Sequence, residues 1–254
     1  KYRNSFDKKD FNLIIIDKHD QGPLYTILKA KKDIKKIIKN SENIFVCYSD
    51  INWIWDFENV KKFLKNKSVN IFTHSGYHPH LEVNSKSDFC KLKKNIVQHM
   101  SQKKVISNDY KKDHLAIGCY YFKQFDYIEN YFKNNFLNKN NEYYIVSIIN
   151  YLTKRKIKVT TYQINKFVHL GIPDQYIDYL NWKDEFKKKS VLNFKKNNLF
   201  FNCSTVMLMA GKGNRVKNIS KKKFLIKIKN QKIYELIFNT FNTDKKYIIT
   251  NKET

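Results

Sequence analysis

The sequence predicts an α/β protein in three layers: a mostly parallel central sheet with helices on both faces. Three observations carry that prediction. Short apolar runs alternate with segments of helical periodicity from residue 11 to residue 186. The runs are nearly continuous in Ile, Val and Phe, as strands buried on both faces are. A G-x-G-x-R turn, Gly211 to Arg215, follows another such run near the end of the chain.

Phe11 to Ile16 reads as a buried strand ending at Asp17, and Gly22-Pro23 punctuates it. Leu24, Ile27, Leu28, Ile34, Ile37 and Ile38 then recur at helical spacing. Asn43 to Tyr48 is a second strand, ending in Ser49-Asp50; a helix near Phe57 to Lys65 leads to a third, Val69 to Thr73. The stretch from Ser75 to Ser107 is irregular, with a strand-like piece at Lys93 to Gln98. Leu115 to Phe122 reads as a strand. Helical patterns follow around Phe125 to Phe136 and Glu142 to Lys154, then a strand at Ile157 to Gln163. Pro173-Asp174 opens a helix running to about Lys189, with the acid suited to its first turn.

A strand feeding a glycine-rich turn normally opens a nucleotide-binding α/β domain, because that strand sits at the sheet centre. Here Val206 to Ala210 feeds the turn, and only about fifty residues follow, too few for a separate domain. The expected division is residues 1–190 as a domain lacking its first strand and phosphate loop, 191–202 as a polar linker, and 203–254 as the missing unit. Two origins explain the order: a circular permutation, or a slice through a tandem protein. In both, 203–254 completes the domain in cis or by exchange between two chains in a homodimer. Thr205 to Met209 is then expected beside the strands ending at Asp17 and Asp50. The chain starts at Lys1 without a Met and stops just after a strand-like run, which favours the slice.

The 254 residues carry a formal net charge of +26, with 42% hydrophobic side chains, 19 Phe and 17 Tyr, so the chain is globular rather than disordered. Such charge raises the question of nucleic acid. Lys far outnumbers Arg and is spread along the polar faces of helical patterns, as at Lys31, Lys32, Lys35, Lys36 and Lys39. Nucleic-acid surfaces concentrate charge and favour Arg. A solvated surface that attracts anionic substrates is the expectation. No apolar run approaches membrane-spanning length. Cys47, Cys90, Cys119 and Cys203 form no C-x-x-C pair, as expected of buried thiols in a reducing cytoplasm.

Gly211 and Gly213 allow backbone amides to approach phosphate oxygens; Arg215 offers a planar fork and Lys223 a point charge. Asp50, at the carboxyl end of a central strand, lies where α/β proteins bind ligands and suits Mg²⁺ as an oxygen donor. His74, His78 and His80 lack Cys or acid partners at zinc spacing and read as a loop.

Taken together, Leu208 to Ile226 resembles the opening signature of the sugar-phosphate nucleotidylyltransferases, commonly L-A-G-x-G-x-R followed by P-K. Asp20 to Thr26 resembles that family's base-contacting G-Q-x-x-T stretch, and Tyr48-Ser49-Asp50 its metal-binding segment. Ser75 to His80, Gly118 to Phe122, Asn141 to Tyr144 and Gly171 to Asp174 resemble later segments of its capsule- and surface-polysaccharide branch. The resemblance implies a Rossmann-like nucleotidyltransferase fold with its chain order permuted. By it, Arg215 and Lys223 are the catalytic cations, and Leu208, Ala210, Gly211, Gly213, Asn214, Gln21 and Gly22 hold the nucleotide. Gly118 and Glu142 face the sugar, and Asp50 binds Mg²⁺. The implied reaction joins a nucleoside triphosphate and a sugar 1-phosphate, releasing pyrophosphate.

Three positions depart from the pattern. Lys222 replaces the proline of P-K, His169 replaces the second metal carboxylate, and the acceptor lysine of an E-K pair falls near Gln98-His99. A glycosyltransferase-like or noncatalytic nucleotide-sugar binder, and a basic nucleic-acid-binding protein, are therefore the competing readings.

Overall fold

The computed structural model of the chain describes residues 11–38, 43–78, 87–107, 109, 112–135, 141–188, 201–210, 223–228, 230–241 and 243–251. Strand β1 (Asn12–Ile16) leads into helix α1 (Gly22–Ile37), where Pro23 takes a first-turn position at which a missing N–H costs nothing. Leu24, Ile27, Ala30 and Ile34 bury one stripe of α1 while Lys29, Lys32, Lys35 and Lys36 stay exposed, the solvated face expected. Next come β2 (Asn43–Tyr48), β3 (Ile51–Ile54), α2 (Phe57–Leu64) and β4 (Val69–His74). Asp56 caps α2 by accepting the Asn59 amide at 3.2 Å. The hairpin β5 (Phe89–Lys93) and β6 (Ile96–Ser101) precedes β7 (His114–Phe122), α3 (Asp126–Asn134), α4 (Ile145–Lys154), β8 (Val159–Gln163), β9 (Lys166–His169) and α5 (Pro173–Lys188). The final stretch holds β10 (Phe201–Leu208), β11 (Lys227–Ile228), β12 (Gln231–Lys232), α6 (Ile233–Asn239) and β13 (Thr243–Asn251).

Nine strands make one sheet in the order β1-β13-β10-β2-β7-β4-β8-β6-β5. Strand β10 lies parallel between β13 and β2, with Val206 opposite both Tyr247 and Val46, and Leu208 opposite both Ile249 and Tyr48. Thr205 to Met209 is thus beside the strand ending at Asp50, as expected. It is not beside β1: β13 stands between, pairing Ile14 with Ile249.

The expectation of a mostly parallel sheet needs correction. Strand β7 runs antiparallel to both β2 and β4, and β5 is antiparallel to β6 and β7, so the sheet is mixed. A strand buried on both faces is apolar throughout whichever way it runs, and its composition does not record direction. The strand-like piece at Lys93 to Gln98 is also corrected. It contains the hairpin turn at Lys94 and Asn95, with φ of 50° and 60°, without the glycine that usually marks such turns. The short pair β3–β9, four residues each, was too brief to stand out as periodicity.

Each sheet face carries an apolar core, and both cores draw on residues before 190 and after 200. On one face Trp55 meets Phe241 edge-on at 5.2 Å between centroids, and its indole N–H donates to the Thr240 carbonyl at 3.1 Å. On the other, Val206, Tyr247 and Ile249 pack with Leu24 and Ile27 of α1. All four cysteines are free and buried.

Met207 is fully buried at the sheet centre. Met207→Ala is expected to cost about 2–5 kcal/mol and to lower one transition in denaturant that tryptophan fluorescence and backbone circular dichroism report alike. Two separate transitions, with the tryptophan signal unmoved, would show that the 201–251 strands do not stabilise the rest.

Candidate active site

Four parallel strands, β1, β13, β10 and β2, end at one edge of the sheet, and β10 and β2 finish level with each other at Leu208 and Tyr48. Ala210, the last described residue before the glycine-rich turn, is buried at that edge, and the Met209 amide donates to Ile249 O at 2.7 Å. Leu208 and Ala210 therefore lie at the carboxyl edge of the parallel strands. Gly211, Gly213, Asn214 and Arg215 lie outside the described residues, as does the side chain of Lys223, which opens a single 3₁₀ turn at 223–225.

Antiparallel β7 brings Gly118 to the same edge, next to Cys119, which pairs with Cys47. Gly118 has φ +84°, and a Cβ there would lie 2.8 Å from the Tyr48 ring and 3.0 Å from Ile51 Cδ1. Side-chain atoms fill that space, so glycine is required by packing as well as by backbone angle. The Tyr48 ring continues to Tyr120 at 6.1 Å, and burial pushes both phenols well above their usual range.

Gln21, Gly22 and Glu142, assigned to two different segments by sequence, are brought together. Tyr143 N–H donates to Gln21 O at 2.7 Å, and Leu24 N–H donates to Tyr143 O at 3.1 Å. Gly22, at φ +81°, would place a Cβ 2.6 Å from Tyr143 O and 3.0 Å from Glu142 Cγ. The start of α1 and the approach to α4 are thus zipped backbone to backbone.

Lys103 joins this group, and sequence reasoning missed it. Its ammonium lies 3.2 Å from Glu142 Oε2 and 4.3 Å above the Tyr144 ring. Gln98 and His99, where the resembled family's acceptor lysine falls, are both exposed on β6, and the Gln98 amide donates to Ile96 O at 3.3 Å. Lys103 carries no sequence signal that separates it from the other basic residues of the chain. Its φ of +52°, uncommon for a residue with a side chain, is shared with Lys94 and Lys156; what sets Lys103 apart is the company it keeps. The Lys103 amide donates to Asp88 Oδ1 at 3.0 Å. Burial pushes the Asp88 carboxyl up to about 6, opposed by Lys103. The proton is therefore held more tightly in the folded chain. Asp88 costs no stability below about pH 4 and progressively more as pH rises to 6.

Asp50 lies in the turn between β2 and β3, buried, and its carbonyl accepts the Leu170 amide at 2.7 Å. The β3–β9 ladder pairs Ile51 with His169, which brings the expected metal position and its departure together. A Cβ on Gly171 would lie 2.5 Å from Asp50 Oδ2 and 2.9 Å from His169 Cε1, so both side chains border one point. His169 Nδ1 is 2.6 Å from Gln175 Oε1. Among the described residues no group of three or more His, Cys, Asp or Glu could hold a metal. The donors fit Mg²⁺ bound by one carboxylate and completed by phosphate and water, and not an ion held by protein alone. The loop reading holds for His78 but not for His74, which ends strand β4; His74 Nδ1 lies 2.9 Å from Ile164 O, and His78 Nε2 3.0 Å from Phe167 O in β9. His80 lies outside the described residues.

Gly22→Ala is expected to destabilise the fold more than Gly76→Ala. Gly76, at φ +100°, has nothing within 4 Å of an added Cβ and would suffer backbone strain alone, about 1–2 kcal/mol. Gly22 adds a backbone clash. Equal losses in thermal unfolding would mean that the Gly22–Tyr143 contact is not tight.

Neither a family model nor a curated protein matches the chain. Solved structures do. The UDP-glucose pyrophosphorylase complexed with UDP-glucose aligns with a TM-score of 0.52 at 22% identity, covering 68% of this chain and 64% of that one. The apo UDP-glucose pyrophosphorylase gives 0.51 at 20%, covering 68% and 63%. The nucleoside-diphosphate-sugar pyrophosphorylase from Vibrio cholerae RC9 gives 0.50 at 17%, covering 64% and 66%. The chain spans just under two thirds of the length of these structures. At such identities the likeness is one of fold: the chain shares the mixed α/β architecture of sugar-nucleotide pyrophosphorylases.

Proposed function

We propose that the protein transfers a nucleotidyl group from a nucleoside triphosphate to a sugar 1-phosphate, forming a nucleotide sugar and pyrophosphate. The observation that carries this reading is the meeting of separate segments at one sheet edge. The strand end at Leu208 lies beside the strand leading to Asp50, and Gly118 beside Tyr48, while the Gly22–Tyr143 zipper joins Gln21 to the segment of Glu142, whose carboxylate pairs with Lys103. Residues 203–254 would complete the 1–190 domain in cis, in an order permuted relative to the resembled family. The same pairing exchanged between chains would give a homodimer. A cytoplasmic place in surface-polysaccharide synthesis follows from the family resemblance. No described helix is long and apolar enough to cross a membrane.

In this reading the amides of Gly211 and Gly213 and the side chains of Arg215 and Lys223 hold the triphosphate, with Leu208, Ala210 and Asn214 lining the nucleotide. Gln21 and Gly22 meet the base; Gly118 and Glu142 face the sugar. Lys103 would take the acceptor's phosphate in exchange for Glu142. A phosphate oxygen of the sugar attacks the α-phosphorus, the bond to the bridging oxygen breaks, and pyrophosphate leaves with that electron pair. The residues position and neutralise charge; no covalent intermediate is needed. Mg²⁺, held by Asp50 together with phosphate oxygens and water, would supply neutralisation at the α-phosphate.

A pyrophosphate-release screen of nucleoside triphosphates against sugar 1-phosphates, with Mg²⁺, tests the reaction. Arg215→Ala should weaken triphosphate binding about tenfold or more, the value of a charge-assisted contact. Unchanged affinity by calorimetry would remove the loop from the site.

One observation favours a second reading, nucleotide-sugar binding without turnover: an imidazole borders Asp50 where a carboxylate would suit Mg²⁺. His169→Asp separates the two. For a weakened enzyme it should tighten Mg²⁺ binding and raise turnover, and Asp50→Ala should abolish it. If both variants leave metal affinity and turnover unchanged, the catalytic reading fails.

A further inference from the structure

Lys103 is held in an unfavourable backbone conformation by a residue that the proposed reaction does not otherwise use. Asp88 spans two parts of the molecule. Its carbonyl accepts the Ala116 amide of β7 at 2.8 Å, two residues from Gly118, and its carboxylate accepts the Lys103 amide at 3.0 Å. It therefore ties the loop after β6 to the sheet strand that borders the site. Lys103 has φ +52°, and three successive contacts fix it: Asp88 on the amide, Glu142 on the ammonium at 3.2 Å, and Tyr144 beneath the ammonium at 4.3 Å. A left-handed backbone is unfavourable for a side-chain-bearing residue; at Lys94 and Asn95 a hairpin turn accounts for it, and at Lys103 these three contacts accompany it.

We propose that Asp88 is a positioning residue for the acceptor: its ionised carboxylate holds the Lys103 loop in the shape that presents the ammonium to the phosphate of a sugar 1-phosphate. This rests on the nucleotidyl-transfer reading above. The groups facing Asp88 leave Lys103 as its one charged partner among the described residues. Tyr48 on β2, Tyr120 on β7 and Cys90 on β5 are each pushed up by burial and stay neutral. Glu142 and Tyr144 face the Lys103 ammonium. Because the Asp88 carboxyl is raised to about 6, the charged hydrogen bond is in place at pH 7.5 and is lost as pH falls through 6.

Two measurements on the full chain test this. The first needs no activity: the ¹⁵N–¹H shift of the Lys103 amide should titrate near pH 6, and Asp88→Asn should flatten it, because an amide oxygen still accepts but does not ionise. The second is the KM for the sugar 1-phosphate. The acceptor's own second ionisation also lies near 6, so the comparison with Asp88→Asn is decisive. Wild-type KM should rise about three- to tenfold more between pH 7.5 and 5.5 than that of Asp88→Asn, the value of one hydrogen bond. The KM for the triphosphate should be unaffected. An amide that does not titrate, or that titrates alike in both proteins, overturns the proposal, as does a titrating amide with parallel KM profiles. A titrating amide in a protein that turns over no acceptor at any pH sinks the nucleotidyl-transfer reading and, with it, the acceptor role.

Discussion

The parallel pairing of β10 with β13 on one side and β2 on the other is the constraint on which the rest depends. A strand at the centre of a sheet has backbone donors and acceptors directed to both neighbours, and none can be left unmet in a dry interior. Removing β10 would strand the inner edges of β13 and β2 together and expose Val46, Cys47, Tyr247 and Ile248, all at or near zero exposure. Chain order is therefore free to vary while spatial order is not. A segment near the C-terminal end of the sequence occupies the middle of the fold because the hydrogen-bond ladder and both apolar faces require a strand there.

The same pairing places the chemistry. Parallel strands all end at one edge, so the turns that follow them are gathered without any turn contacting another in sequence. Gly22 and Gly118 show how closely that edge is packed. Both adopt positive φ, and in both the space a Cβ would fill is taken, by Tyr143 and Glu142 in one case and by Tyr48 and Ile51 in the other. Loops that begin far apart in the sequence are thereby held at backbone distance. The arrangement also carries costs. Asp88 keeps a carboxylate in a half-buried place, and Lys103 keeps a left-handed backbone beside it. Lys103 in turn pairs with Glu142, the residue that the proposed reading turns toward the sugar.

Much of this was legible in the sequence. The strands at Asn43–Tyr48 and Val69–His74, the helix opening at Pro173 and the central strand before Gly211 follow from apolar runs, helical spacing and punctuation by Gly and Pro. Gly22, Glu142 and Gly118 were named as site residues and lie where the fold brings segments together. His169 was named as a departure at the metal position, and it borders the same point as Asp50. The antiparallel direction of β7, the hairpin at Lys94–Asn95 and the pair β3–β9 were not legible. Direction, register and short pairings depend on partners far away in the chain, and a local pattern holds no record of them.

What the sequence by itself determined is the set of parts: which runs are buried strands, which faces of helices are wet, and which residues bear phosphate- and metal-seeking chemistry. Periodicity and side-chain chemistry are local properties, written residue by residue. What only the tertiary structure decided is which parts meet. Lys103 is one lysine among many until a positive φ, an Asp88 carboxylate and a Glu142 side chain converge on it. Their separations of 15 and 39 residues are closed by sheet pairing and loop packing. A cation becomes a site through its neighbours, and neighbours are set by the global fold.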